Sequence, residues 1–241
     1  MRKMKGSEPV TEVSDLYDRW LKFADEWRLE LSISSGVWLD PHEPDDVIVP
    51  LDCTIHLNKF EDDMPGRSVN AGTITAYLIP DHHSGFSKFS ILDAHSSDLA
   101  EFLELFDEYR LSDALRDQFE FFGSQLLILD RARISRRFRG VGLGLVAVKR
   151  LAESFVDTGL IAYKPFPLQY TNNGDQPGYA KALRKIERYW ARLGAEPVAA
   201  APHLWALGVE CGLLSIEQML RPQIPKTHIQ HHLGQLEGRP N

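Results

Sequence analysis

Apolar residues recur along this chain at three spacings, and each predicts a different element. Leu126 to Leu129 and Leu160 to Tyr163 are short unbroken apolar runs, the pattern of strands buried on both faces. Between them, Leu145 to Phe155 is an apolar, helix-favouring run introduced by Gly140, Gly142 and Gly144. Tyr179 to Leu193 carries apolar positions at helical spacing and is stopped by Gly194. Pro197 to Ala201 and Leu204 to Val209 read as final strands. Lys164 to Pro167 cannot continue a central strand, because its two prolines remove ladder donors.

The first half reads differently. Ser14 is placed to cap a helix to about Leu29, with Leu16, Trp20, Phe23, Ala24 and Trp27 on one face. Two tryptophans on one stripe need cover, from the core or from a second copy of the chain. Ile48 to Phe60 and Ala71 to Ile79 alternate as strands and predict an antiparallel hairpin about Glu61 to Gly66. Phe89 to Leu92 reads as a short strand, and Ser97 to Glu108 and Leu111 to Phe121 as helices. Pro80 to Ser87 and Asn172 to Asp175 read as loops, and Met1 to Glu12 and the stretch from Arg221 onward as tails. These elements divide the chain into a tail and appended helix (1–45), an α/β domain with a mixed, mostly antiparallel sheet (46–212) and a C-terminal tail (213–241).

The net charge of −7 over 241 residues argues against a general nucleic-acid binder. No apolar run is long enough to cross a membrane, and the basic start leads into no signal-peptide core, so a cytoplasmic protein is expected. Cys53 and Cys211 stand alone, without ligand spacing, and are expected as thiols. His82 and His83 form a pair beside Asp81, with Asp52 and His56 on the hairpin, but no third ligand stands at a suitable spacing. Those histidines, with His228, His231 and His232, are read as surface residues, and no metal site is expected.

The chemistry concentrates at the glycines. Arg131, Arg133, Arg136, Arg137 and Arg139 fall within nine residues of a negatively charged chain. A strand, a glycine turn and a helix N-terminus present unpaired amides and a positive dipole end, and arginine forks suit phosphate oxygens. The phosphate loop of nucleotide hydrolases is excluded, because Leu145 and Val146 follow Gly144 where lysine and serine or threonine belong. Gly142, Gly144 and Ala147 formally meet the dinucleotide pattern, which keeps an NADP-binding domain as an alternative. For the glycines the plain alternative is a strand-to-helix turn; for the arginines it is a solvated face or salt bridges.

Arg139-Gly140-Val141-Gly142-Leu143-Gly144 resembles the R/Q-x-x-G-x-G/A signature of the GNAT N-acetyltransferases. Ile186 to Ala195, with Tyr189, Trp190, Leu193 and Gly194, resembles the same family's F-Y-x-x-L-G-F helix end. The resemblance covers 126–198. It implies a GNAT-like sheet flanked by helices, here with an extra N-terminal helix and extra helices before the central strand. It also implies acetyl-CoA as co-substrate and direct acetyl transfer to a small-molecule or peptide amine; the charge and the apolar runs lead to the expectation of no nucleic-acid and no membrane partner. Arg133, Ile134, Arg139, Gly140, Val141, Gly142, Leu143 and Gly144 would hold the donor, Ile134 by backbone pairing with its pantetheine arm. Asp130 is the candidate base, an acid after a buried run whose pKa should rise, with an ion pair to a neighbouring arginine as the alternative. The family's proton-donating tyrosine falls on Trp190, so Tyr189, Tyr179 or water is left to supply the proton. A non-catalytic acyl-CoA-binding protein is the alternative from another class.

Overall fold

A computed structural model of the chain describes residues 15–36, 42–61, 64–79, 86–123, 125–156, 159–170, 176–209 and 214–221. Ser14, Asp81, His82, His83, Cys211, His228, His231, His232, the loop expected at Asn172 to Asp175 and both expected tails (beyond Arg221 at the C-terminal end) lie outside them.

The central sheet has seven strands, in the order β1 (Trp27–Ser35), β2 (Val49–Glu61), β3 (Met64–Ile79), β6 (Leu126–Ile134), β7 (Leu160–Tyr163), β9 (Trp205–Gly208) and β8 (Glu196–Pro197). Every neighbouring pair is antiparallel except β6 and β7. The protein is therefore α/β with a mixed, mostly antiparallel sheet, as the hydrophobic pattern implies. The expected hairpin is present and longer than expected, since Met64 to Gly66 already belong to β3.

Each face of the sheet carries its own core. On one face Leu51, Cys53, Ile55 and Leu57 of β2 meet Leu127 and Leu129 of β6. That face is covered by α1 (Leu16–Glu26), α5 (Leu143–Phe155) and a short helix, α7 (Ile216–Leu220). On the other face Leu126, Ile128, Leu160 and Ala162 are covered by α2 (Lys88–His95), α3 (Ser97–Ala100) and α4 (Asp113–Phe119). A strand sandwiched in this way has no solvent side, which is why β6 and β7 read as unbroken apolar runs. Of the two helices expected between the hairpin and the central strand, the second is present as α4 and the first only in part, as α3.

Four elements differ from the sequence reading; the final strand expected over Pro197 to Ala201 is one of them, since β8 ends at Pro197. The first helix stops at Glu26, is capped by Asp15, and gives way to β1 at Trp27. Trp27, Leu29, Leu31 and Ile33 alternate with polar residues, and Trp27 satisfies the helical spacing as well, so the boundary is hidden. Phe89 to Leu92 is helical, not a strand. Ser87 caps α2 by accepting from the Ser90 amide at 3.1 Å, and a four-residue apolar run cannot by itself separate strand from helix. The helix expected over Ser97 to Glu108 tightens into a 3-10 turn at Glu101–Leu105. It then ends in a two-residue ladder, β4 (Phe106–Asp107) with β5 (Arg110–Leu111), closed at Glu108, whose φ is +47°.

Candidate functional site

Two irregularities in β6 create the site. The first is a bulge: Leu129 pairs with Ala76 and Arg131 with Thr75, so Asp130 has no partner on β3. The second is on the opposite edge. β7 pairs with β6 only from Leu126 to Leu129, the last pair being Leu129 with Tyr163. Lys164, Pro165, Phe166 and Pro167 then leave the sheet, as the prolines require. Among the described residues the central strand therefore has a neighbour on one side only from Asp130 to Ile134.

A cavity of about 460 Å³ opens beside that free edge. It takes in most of the residues the sequence singled out for the site: Asp130, Arg133 and Ile134 from β6, Arg139, Gly140, Gly142, Leu143 and Gly144 from the turn, and Tyr189 from α6 (Tyr179–Trp190), but not Val141. Val141 is half-buried against the adjoining core. Arg131, Tyr163, Lys164, Phe166, Lys185 and Trp190 also line it, and the sequence reading assigned none of these to the cofactor or catalytic set. Lys164 and Lys185 carry no motif. They reach the cavity because β7 ends at its rim and α6 crosses it.

The turn is built for open amides. A 3-10 turn at Arg136–Phe138 leaves β6, and Gly140 and Gly142 then take φ of +83° and +85°. Both are left-handed conformations open to glycine at no steric cost. Gly142 has a second reason to lack a side chain: a Cβ there would stand 2.6 Å from Leu220 Cδ2 of α7. The amides of Leu145 and Val146 turn back to the Gly142 carbonyl at 3.0 and 3.2 Å. Those of Gly140, Val141, Gly142, Leu143 and Gly144 have no backbone acceptor among the described residues. Arg139 fastens the turn to the strand, its Nε donating to the Ile134 carbonyl at 2.7 Å. From outside, Phe23 and Trp27 pack edge-on against Phe138, ring centroids 6.3 and 6.0 Å away, so part of the N-terminal aromatic stripe buttresses the turn.

The cavity wall is basic. Arg131, Arg133, Arg139, Lys164 and Lys185 face one acid, Asp130. Among the described residues Arg131, Arg133 and Arg136 form no salt bridge, and Asp130 forms no direct ion pair. Lys164 is held by Glu101 at 2.5 Å. Partial burial raises the Asp130 carboxyl above its ordinary value; the Arg131 charge pulls it down and Asp98 pushes it further up.

The aromatic wall comes from β7 and α6. Tyr163 packs on Trp190 with centroids 5.6 Å apart, and Trp190 on Tyr189 at 5.2 Å. The Tyr189 hydroxyl reaches the glycine turn, 2.8 Å from where a Cβ of Gly144 would stand. Burial pushes Tyr189 up to about 12, against a backbone hydrogen bond at Leu145 and the Arg192 charge. The hydroxyl thus braces the start of α5. Tyr179, the other tyrosine considered as a proton source, packs on Phe166 and Tyr170 and does not line the cavity.

No protein-family model matches the sequence, and no curated protein matches it. Among the described residues no His, Cys, Asp or Glu cluster could hold a metal, and no helix is long and apolar enough to cross a membrane. Of the two cysteines, Cys53 is a buried free thiol.

Proposed function

We propose that this chain is an acyl-CoA-dependent N-acyltransferase with a GNAT-like site, transferring an acetyl group directly to an amine. One observation carries the reading: the successive amides from Gly140 to Gly144 have no backbone acceptor among the described residues, and Gly140, Gly142, Leu143 and Gly144 line the same basic cavity as the one-sided stretch of the central strand. A diphosphate suits the first and an amide-bearing pantetheine arm the second.

In this reading the Gly140 to Gly144 amides and Arg139 hold phosphate oxygens, with the helix dipole adding to the attraction. Arg133 adds charge from the strand. The free edge at Ile134 aligns the arm and leads it toward the bulge. Asp130, raised and unpaired, takes the proton of an ammonium acceptor entering opposite the donor. Positioning supplies much of the rate, since two substrates meet in one cleft. Tyr189 is given a bracing role in place of proton donation.

A non-catalytic acyl-CoA-binding protein is the second reading, favoured by the cavity's aromatic wall, where Trp190 occupies the position of the family's acid. Thermal-shift titration tests both: acetyl-CoA at about 100 times its Kd should stabilise the chain by about 2.7 kcal/mol, and NADP should not. Release of CoA thiol with a panel of amines then separates enzyme from binder.

A further inference from the structure

The bulge in β6 does more than free Asp130 from a partner. Leu127 and Leu129 belong to the core that α5 covers, and beyond the bulge Ala132 and Ile134 pack on that same core. Side chains alternate along a regular strand, so the two residues between, Asp130 and Arg131, both turn to the opposite face. An acid and a cation stand side by side where regular alternation would send them apart. The face they share is polar. Across the sheet Arg131 lies opposite Thr75, Thr75 opposite Asp52, and Asp52 opposite Ser34. Side chains so paired have Cβ atoms about 5 Å apart. Asp130, Arg131, Asp52 and Ser34 are exposed and Thr75 is half-buried, while α2, α3 and α4 cover this side farther along, over Leu126 and Ile128. Burial raises the pKa of the neighbouring Tyr77, Asp130 and Asp52 add to the rise, and Arg131 opposes it, so these charges gather over one patch.

Asp130 and Arg131 also line the cavity, and neither forms an ion pair among the described residues. We propose that this pair selects the acceptor: a primary amine that carries an anionic group, carboxylate or phosphate, a few bonds from its nitrogen. The assignment rests on the acyltransferase reading and names the substrate class of that site. The ammonium of such a molecule meets Asp130, and its anion meets the Arg131 fork with the Thr75 hydroxyl beside it. Guanidinium groups suit both carboxylate and phosphate, in paired hydrogen bonds. An acceptor with positive charge alone would approach Asp130 against the repulsion of Arg131. An anion on the same molecule turns that repulsion into attraction, and charge complementarity of this kind discriminates between ligands.

The test measures release of CoA thiol from acetyl-CoA by the full-length protein with primary amines built on one two-carbon linker. β-Alanine carries a carboxylate, O-phosphoethanolamine a phosphate, ethanolamine no charge and (2-aminoethyl)trimethylammonium a fixed cation. In the wild type, kcat/KM for the better anionic amine should exceed that for ethanolamine by about tenfold or more, with the cation poorest. Which anionic amine leads distinguishes carboxylate from phosphate. Arg131→Gln should erase the preference through KM, with acetyl-CoA affinity unchanged, and Arg131→Glu should turn it toward the cation. A wild-type ranking in which ethanolamine or the cation equals or exceeds both anionic amines would overturn the assignment. So would an anionic preference that survives Arg131→Gln, or protein that binds acetyl-CoA and acetylates none of the four. Should the variants fail to fold, the wild-type ranking decides alone. Protein that does not bind acetyl-CoA at all would remove the acyltransferase reading, and this assignment with it.

Discussion

Tyr189 and Gly144 meet across the cavity floor: a Cβ on Gly144 would stand 2.8 Å from the Tyr189 hydroxyl and 3.3 Å from Ile134 Cγ1. The first turn of α5 therefore holds a residue that has no side chain because two others close over it. Gly144→Ala should cost little stability. The hydroxyl is the mobile end of a side chain, and alanine in place of glycine favours the helix by up to about 1 kcal/mol. Donor affinity should suffer more, because moving Tyr189 releases its bond at Leu145 and disturbs the amides beside it. The expected result is a melting temperature within a few degrees of wild type and acetyl-CoA affinity about tenfold weaker by calorimetry.

Gly142 should respond in the opposite sense. Its φ of +85° and the 2.6 Å approach to Leu220 Cδ2 both resist a side chain. Gly142→Ala is expected to cost about 2–4 kcal/mol in urea denaturation, combining backbone strain with overpacking. Leu220→Ala placed on top should recover part of that loss. A double-mutant cycle measures the coupling, and strictly additive losses would show that the two residues do not touch.

Asp130 makes a pH-dependent prediction. Its native pKa is raised, so the native state holds this proton more tightly than the unfolded chain. Its favourable contribution is present below the ordinary carboxylate value, near pH 4, and is lost as pH rises through the folded value. Asp130→Asn should therefore gain stability relative to wild type as pH climbs from about 4, the difference levelling off above the native pKa. Once an acceptor amine is in hand, the same variant should lose about 100-fold or more in turnover with acetyl-CoA affinity unchanged. Unchanged turnover would remove Asp130 as the base.

Cys53 lies in the core on β2, and burial pushes its thiol up to about 11, with Asp52 adding to the rise. In a Cys211→Ser background, Ellman's reagent should find no reactive thiol in the native protein, and one in denaturant. Rapid native labelling would contradict the packing of β2 against α5.

Much of this architecture is legible in the residues, for physical reasons. β6 and β7 are covered on both faces, so Leu126 to Leu129 and Leu160 to Tyr163 announce themselves. The turn is legible because Gly140 and Gly142 adopt conformations that other residues resist. β1 is hidden because Trp27 belongs to two periodicities at once. α7 is hidden because five residues carry too little pattern, although Leu220 fixes why Gly142 must be glycine. The cavity's far wall is hidden for a different reason. Tyr163, Lys164 and Lys185 converge only after β7 ends and α6 folds back over it, and no local spacing encodes that approach.

The central claim is that the amides from Gly140 to Gly144 grip the diphosphate of an acyl donor, and hydrogen exchange followed by mass spectrometry addresses it directly. Without backbone acceptors, these amides should exchange quickly in the free protein and slow markedly in saturating CoA, while the edge strand β1 stays unchanged. Exchange across 139–145 that is the same with and without CoA, under conditions where the chain is otherwise folded, would contradict the account.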